Sequence, residues 1–390
     1  MRLENKSVVR IGIVGTGFIS KGFVRQLMRQ HRVKVTGVLT RTDPAYRTDY
    51  PLQHLLVQDA DAFLEHVDLV VECSGDVIHG TQVILKAMNQ QLPVITLNAE
   101  LQVTTGSYLA SKGFLTEAEG DQPGCLAALR ENAVMMGFEP LVYGNIKGFL
   151  NHHPTYEDML YWSKKQGISL PKQISFTDGT KVQIEQTLVA NGLGATIAKK
   201  GLIGPRALTS QIGGPSLAEL AEKLKSPISD YILSPESPAG VFITGTHQSS
   251  EQDCLRYYKM GEGPYYTLQS NYHLCHLEMM KTVDRVMRGD GILLNNGVLP
   301  KVSTAAIAKT ALKKGSRIMQ GIGGFELRGE AVLIEEAPDY IPIGLIQHGV
   351  MMRHVDPGQI ITWEDIELPH SLAMEAWNHT LQHVRCAASA

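Results

Sequence analysis

Apolar runs along the first hundred residues alternate with stretches of helical spacing. Val8–Val14, Val33–Leu39, Asp68–Gly75 and Leu92–Asn98 are short, rich in β-branched residues and almost continuously apolar, the pattern of strands buried on both faces. After the first run, Phe18, Val24, Leu27 and Met28 recur on one side of a helical repeat. Strand and helix in strict alternation predict an α/β fold built on a doubly wound parallel sheet.

Beyond about residue 115 the texture changes. Glu119-Gly120-Asp121-Gln122-Pro123-Gly124, Gly144-Asn145-Ile146-Lys147-Gly148 and Phe176-Thr177-Asp178-Gly179-Thr180-Lys181 each combine glycine with an ionisable residue, which suits loops aiming a charged side chain at a ligand and equally suits plain turns. A helix is predicted from Thr155 to Gln166, with Pro154 at its start, and another from Lys181 through Val182, Ile184, Glu185, Leu188 and Val189. Near the end, Ala308–Met319 and Met352–Trp363 resemble one another, each a short strand turning at glycine, so a small β-rich module is expected. The division predicted is 1–138 for the sheet domain, 139–300 for a central domain and 301–390 for the β-rich module. The last is expected to be separable from ligand binding by the first.

Composition narrows the partners. The chain has 390 residues, 43% hydrophobic and 19% charged, with a net charge of −3, so no broad basic face is offered to nucleic acid or to an anionic membrane. Its five cysteines include no CxxC pair, which predicts reduced thiols in a cytoplasmic setting. Val8–Val14 is broken by Arg10 and by glycine, and reads as a strand rather than a signal or membrane segment. Small molecules are the expected partners.

The first strand runs into Gly15-Thr16-Gly17 and then Phe18-Ile19-Ser20. Gly15 permits a tight turn, Gly17 lets backbone approach a pyrophosphate, and the helix start offers free N–H groups to it. Ser20 occupies the third position of the glycine pattern, where a small residue is needed for helix–strand packing. The second strand ends at Thr40-Arg41-Thr42, where an NAD-selective site would carry an acid for the ribose 2′-hydroxyl. Arg41 is either a 2′-phosphate ligand or a solvated loop residue; the former reading makes NADP, as NADPH, the expected cofactor. Ser74, Gly75, Asn98 and Glu100 follow the next strands and are expected near the nicotinamide end.

Hydride transfer to a carbonyl also needs a proton source, and a partly buried lysine can serve. Lys147 and Lys181 are the candidates. Glu185 stands one helical turn from Lys181, a spacing that reads as an orienting pair or as a surface ion pair. Asp178 and Asp121 are further candidates for orienting the lysine or binding substrate, and Arg206 joins the lysines as a phosphate ligand. His273-Leu274-Cys275-His276 offers ligand types without a second ligand pair at a recognisable distance, and His152-His153 sits at a loop edge, so no metal site is predicted.

"ITWEDIEL" resembles the closing segment of a SAF domain, a small β-clip module. With "IGIVGTGFIS", "VVECSG", "AEGDQPG", "GNIKG", "FTDGTK" and "IGGFELRG", nearly the whole chain resembles the homoserine dehydrogenase-like oxidoreductases that carry a C-terminal SAF domain, a group that includes the deoxyxylulose-phosphate reductoisomerase-like family. The resemblance implies a Rossmann domain binding NADP, a central α/β catalytic and dimerisation domain, the SAF module and a homo-oligomer, dimer or tetramer. Homoserine dehydrogenases carry an Asn-Lys pair where this chain reads Asn98-Ala99-Glu100. The activity implied is therefore NADPH-dependent reduction of a small polar carbonyl, a phosphorylated ketose with coupled rearrangement among the candidates. A homoserine-type dehydrogenase acting on a semialdehyde and a non-catalytic NADP-binding sensor are the alternatives.

Overall fold

Apart from Arg10 near its start, Val9–Val14 (β1) carries no charged residue, which allows both faces of that strand to be buried, and in the computed structural model β1 lies in the middle of a six-stranded sheet. It is flanked by β2 (Val33–Leu39) and β4 (Leu69–Glu72), with β3 (Leu56–Val57), β5 (Val94–Thr96) and β6 (Leu115–Glu117) outside them. The order is β3-β2-β1-β4-β5-β6 and every pairing is parallel. Strand order reverses between β1 and β4, which places a crevice outside their carboxyl ends, where such sheets hold ligands.

The structure describes residues 3–337 and 339–388, in two compact units. The first comprises residues up to 124, 274–299 and those from 371; the second comprises 125–273 and 300–370. In the first, helices α1 (Phe18–Leu27), α2 (Ala60–Leu64) and α3 (Val77–Asn89) connect the strands. Helix α1 buries Ser20, Phe23, Val24 and Leu27. Phe18 and Met28, expected on that side, are 64% and 59% exposed: they stand at the two ends of the helix, where the sheet gives no cover. Ser20 fills the third glycine position fully buried, its Oγ 2.5 Å from the Tyr50 hydroxyl. A glycine there would leave that hydroxyl without this partner. Helix Met279–Arg288 adds Met279, Val283 and Met287 to the same core, and helix Leu372–Ala388 packs on α3 with Trp377 buried.

The second unit is built on a mixed sheet. β7 (Glu139–Lys147) pairs parallel with β8 (Ile228–Leu233) and antiparallel with β9 (Gly240–Thr246), which pairs with β10 (Tyr266–Ser270). The segment Gly144–Lys147, expected as a loop, is thus the end of a central strand. Gly144 is there because the Phe242 ring lies across it, where any Cβ would come within 2.1 Å of the ring. Helix α4 (Tyr156–Gln166) starts at an N-cap on Thr155, whose Oγ1 accepts from the Asp158 N–H at 3.2 Å, so Pro154 precedes the cap. Helices α5 (Leu170–Thr177) and α6 (Thr180–Leu193) meet at Asp178-Gly179, with Gly179 at φ +88°: the predicted third loop is a helix–helix corner.

Residues 180–190 of α6 are all buried, because the helix lies between two sheets. On one side Gln186 Nε2 donates to the carbonyls of Tyr143 and Asp230. On the other, the antiparallel pair β11 (Val302–Ala308) and β12 (Leu327–Leu333) donates Gly329 N–H to Thr180 Oγ1 and Ala331 N–H to Gln183 Oε1. The two look-alike segments pair across the module, Leu312 with Val355, and Val350–Met351 pairs with Ile366–Glu367.

Candidate functional site

In the first unit the three loops above β1, β2 and β4 converge. Gly15 takes φ +102° and approaches so closely that a Cβ would lie 2.8 Å from Ser74 Cα, so only glycine fits. Gly17 is the N-cap of α1 with no side-chain cap and nothing within 4 Å of a Cβ. The N–H groups of Phe18 and Ile19 open the first turn of α1, where the helix dipole favours a phosphate. On one flank Thr16 and Thr40 hydroxyls stand 3.5 Å apart, and Thr40 Oγ1 accepts from Thr42 N–H. On the other, Arg41 pairs with Asp76 at 2.8 Å.

Two candidates on this rim turn inward. Ser74 Oγ donates to Glu72, a fully buried carboxylate that also accepts from Ser74 N–H at 2.8 Å and Thr96 Oγ1 at 2.9 Å. Burial pushes the Glu72 carboxyl above the usual carboxylate range, against those hydrogen bonds. Asn98, also fully buried, accepts from Leu101 N–H at 3.1 Å and so caps a helical turn. Gly75, at φ +68°, makes the bend between Ser74 and Asp76, and Glu100 is half-buried in the turn after Asn98. Sequence reading missed Arg47, whose guanidinium donates to the Thr16 carbonyl inside the glycine turn. Only tertiary folding brings residue 47 back to residue 16.

The second unit gathers the lysines. Lys147 ends β7 and Lys181 opens α6, and both reach Glu185: Lys147 Nζ lies 3.2 Å from Oε2 and Lys181 Nζ 3.9 Å from Oε1. Asn145 Nδ2 donates to the same Oε2 at 2.9 Å, which fixes the carboxylate from the strand side. Glu185 is 1% exposed and Lys181 9%, so this is no surface pair. Both lysine side chains thus reach one buried carboxylate from two different elements, a strand end and a helix start. Next to Lys147 a cleft of about 450 Å³ opens at the carboxyl ends of β7 and β8, lined by Gly148, Phe149, Leu150, Arg206, Leu233 and Pro235.

Asp178 does not join this cluster. Its carboxylate takes the Lys309 ammonium at 2.8 Å and the Thr180 N–H at 2.9 Å, all three residues being buried. Sequence spacing placed it beside Lys181, but a partner from β11's end, 131 residues away, claims it. Asp121 is buried after the Gly120 bend, at the start of helix Gln122–Met135. His152 and His153 stand exposed before α4. His273 and His276 fall in different units, and among the described residues no three metal-ligating side chains converge.

Residues 15–112 match the homoserine dehydrogenase NAD-binding domain, and residues 120–279 match the catalytic domain described as oxidoreductase DRL. No curated protein sequence matches the chain. Among solved structures, UDP-N-acetylglucosamine 3-dehydrogenase from Acidithiobacillus ferrooxidans is 10% identical with a TM-score of 0.42, over 74% of this chain and 92% of that one. A myo-inositol dehydrogenase from Lactobacillus casei is 13% identical with a TM-score of 0.41, over 75% and 89%. The homoserine dehydrogenase of S. aureus is 15% identical with a TM-score of 0.32, over 47% and 50%. The two domain matches fall on the two sites built above, the glycine turn within the first and Lys147, Lys181 and Glu185 within the second. The chain is an NAD(P)-dependent oxidoreductase.

Proposed function

We propose that the chain is an NADPH-dependent reductase of a small polar carbonyl compound, with a phosphorylated ketose as the leading substrate class. The observation that carries this reading is the pair of ammonium groups held on one buried carboxylate, Lys147 and Lys181 on Glu185. Bound NADPH would supply a hydride, with the N–H groups at the start of α1 holding its pyrophosphate and Arg41 its 2′-phosphate. As a carbonyl is reduced its oxygen becomes an alkoxide, and Lys181 donates the proton to it. Lys147 remains charged nearby and stabilises the same developing anion, a preorganised arrangement that costs no reorientation during the step. Glu185 positions both lysines, and Asn145 positions Glu185. Arg206, which lines the cleft next to Lys147, suits an anionic substituent on the substrate. The antiparallel pairs of residues 302–367 are the kind of cover a SAF module supplies, seated over α6.

The test is NADPH oxidation against a panel of phosphosugars and semialdehydes. Lys181→Met keeps the side-chain length and removes the proton, so kcat should fall by about two to four orders of magnitude with NADPH affinity unchanged. Near-normal kcat in Lys181→Met together with a collapse in Lys147→Met would exchange their roles. Turnover unaffected by either substitution would remove the proposal.

A further inference from the structure

The rim of the dinucleotide crevice carries a second charge that sequence reading did not weigh. Asp76 follows β4 across the crevice from Arg41, and the two side chains pair at 2.8 Å. They differ in how firmly they are held. Asp76 Oδ1 accepts from His79 N–H at 2.9 Å as the N-cap of α3, and Asp76 N–H donates to Ser74 Oγ at 3.2 Å. Ser74 is itself fastened to buried Glu72. The Arg41 side chain, by contrast, is 65% exposed against 24% for Asp76. The carboxylate is thus the fixed member and the guanidinium the movable one, joined by an exposed pair of the kind that opens at small cost.

We infer that Asp76 sets the choice between the two nicotinamide dinucleotides. This rests on the reading that Arg41 faces the adenosine ribose. A 2′-phosphate that takes Arg41 must displace Asp76 and remain beside its carboxylate, so part of the gain from the arginine is lost to like-charge repulsion. A ribose 2′-hydroxyl meets the opposite situation: the carboxylate is an acceptor for it, as an acid at the end of the second strand is in NAD-selective sites. Arg41 pulls toward NADPH and Asp76 toward NADH. The preference for NADPH is therefore smaller than Arg41 alone would impose, and NADH is a working second cofactor.

Asparagine at position 76 keeps the cap, because asparagine and aspartate cap helices equally well, and removes the charge. Dissociation constants for NADPH and NADH are measured by titration on the full chain, for wild type, Asp76→Asn and Arg41→Ala, at one ionic strength. Asp76→Asn should bind NADPH about tenfold more tightly, the scale of one charge-assisted contact, and NADH no more tightly than wild type. An NADPH-to-NADH ratio within twofold of wild type in Asp76→Asn would overturn the inference. So would equal weakening of both cofactors with a fall in thermal stability, which marks Asp76 as a cap alone. Asp76→Ser, another neutral cap, must repeat the tightening, and serves if the asparagine variant does not fold. Arg41→Ala tests the underlying reading by itself: NADPH affinity unchanged there removes the phosphate role of Arg41, whatever Asp76→Asn shows.

Discussion

Lys309 and Asp178 form a deeply buried ion pair, 2% and 0% exposed. The lysine's other partner is the Gly324 carbonyl at 2.6 Å, and its ammonium lies 6.0 Å from the centre of the Phe325 ring. Removing one member of such a pair leaves an uncompensated charge in the interior, which costs about 3–5 kcal/mol. Asp178→Asn should therefore lower the denaturant midpoint markedly, and the double variant Asp178→Asn, Lys309→Met should recover much of the loss. A midpoint indistinguishable from wild type in the single variant would show that the pair does not hold the α5–α6 corner. The carboxylate of Asp178 is engaged with Lys309 and the Thr180 N–H.

Among the elements, β8 carries a charge the fold tolerates at a cost. Asp230 accepts backbone N–H bonds from Ile203, Gly204 and Tyr231, yet burial pushes its carboxyl up to about 6. The folded chain thus holds this proton more tightly than the unfolded chain does. Stability should fall as pH rises from about 4 through 6 and level off above, by about 3 kcal/mol for this group. Comparing urea unfolding of wild type and Asp230→Asn across that range isolates the contribution; parallel pH profiles would refute it. β1, β2, β4 and β5 are legible because strands largely covered on both faces are mostly apolar along their length. The end of β7 is not, since "GNIKG" carries turn residues: Gly144 makes room for Phe242, and Asn145 Nδ2 and Lys147 Nζ donate to Glu185 of α6.

At the scale of the whole molecule, the chain returns to its first unit twice, with residues 274–299 and again from 371. Helix Leu372–Ala388 seals α3 with Trp377, 1% exposed, while Tyr108 and His379 rings meet edge-on at 5.0 Å. Contrary to the separability expected from sequence, removing everything after residue 370 uncovers the dinucleotide-binding unit. Deleting a buried tryptophan alone costs about 3–5 kcal/mol, so the shortened chain should unfold at clearly lower temperature and bind NADPH less well, with Trp377→Ala showing part of the same effect. Unchanged melting and affinity in the truncated chain would contradict this placement of the helix.

Features that depend on neighbours along the chain are written in the residues themselves: the apolar strands of the parallel sheet, the glycine turn into α1, and the one-turn spacing of Lys181 and Glu185. Each is set by local backbone sterics or by side-chain period. Tertiary structure alone decided which charges meet. Lys147 reaches Glu185 across 38 residues, Lys309 takes Asp178 across 131, and Arg47 turns back onto Thr16 across 31. A buried charge must find a partner wherever the fold offers one, and no period in the sequence encodes a partner brought from another element.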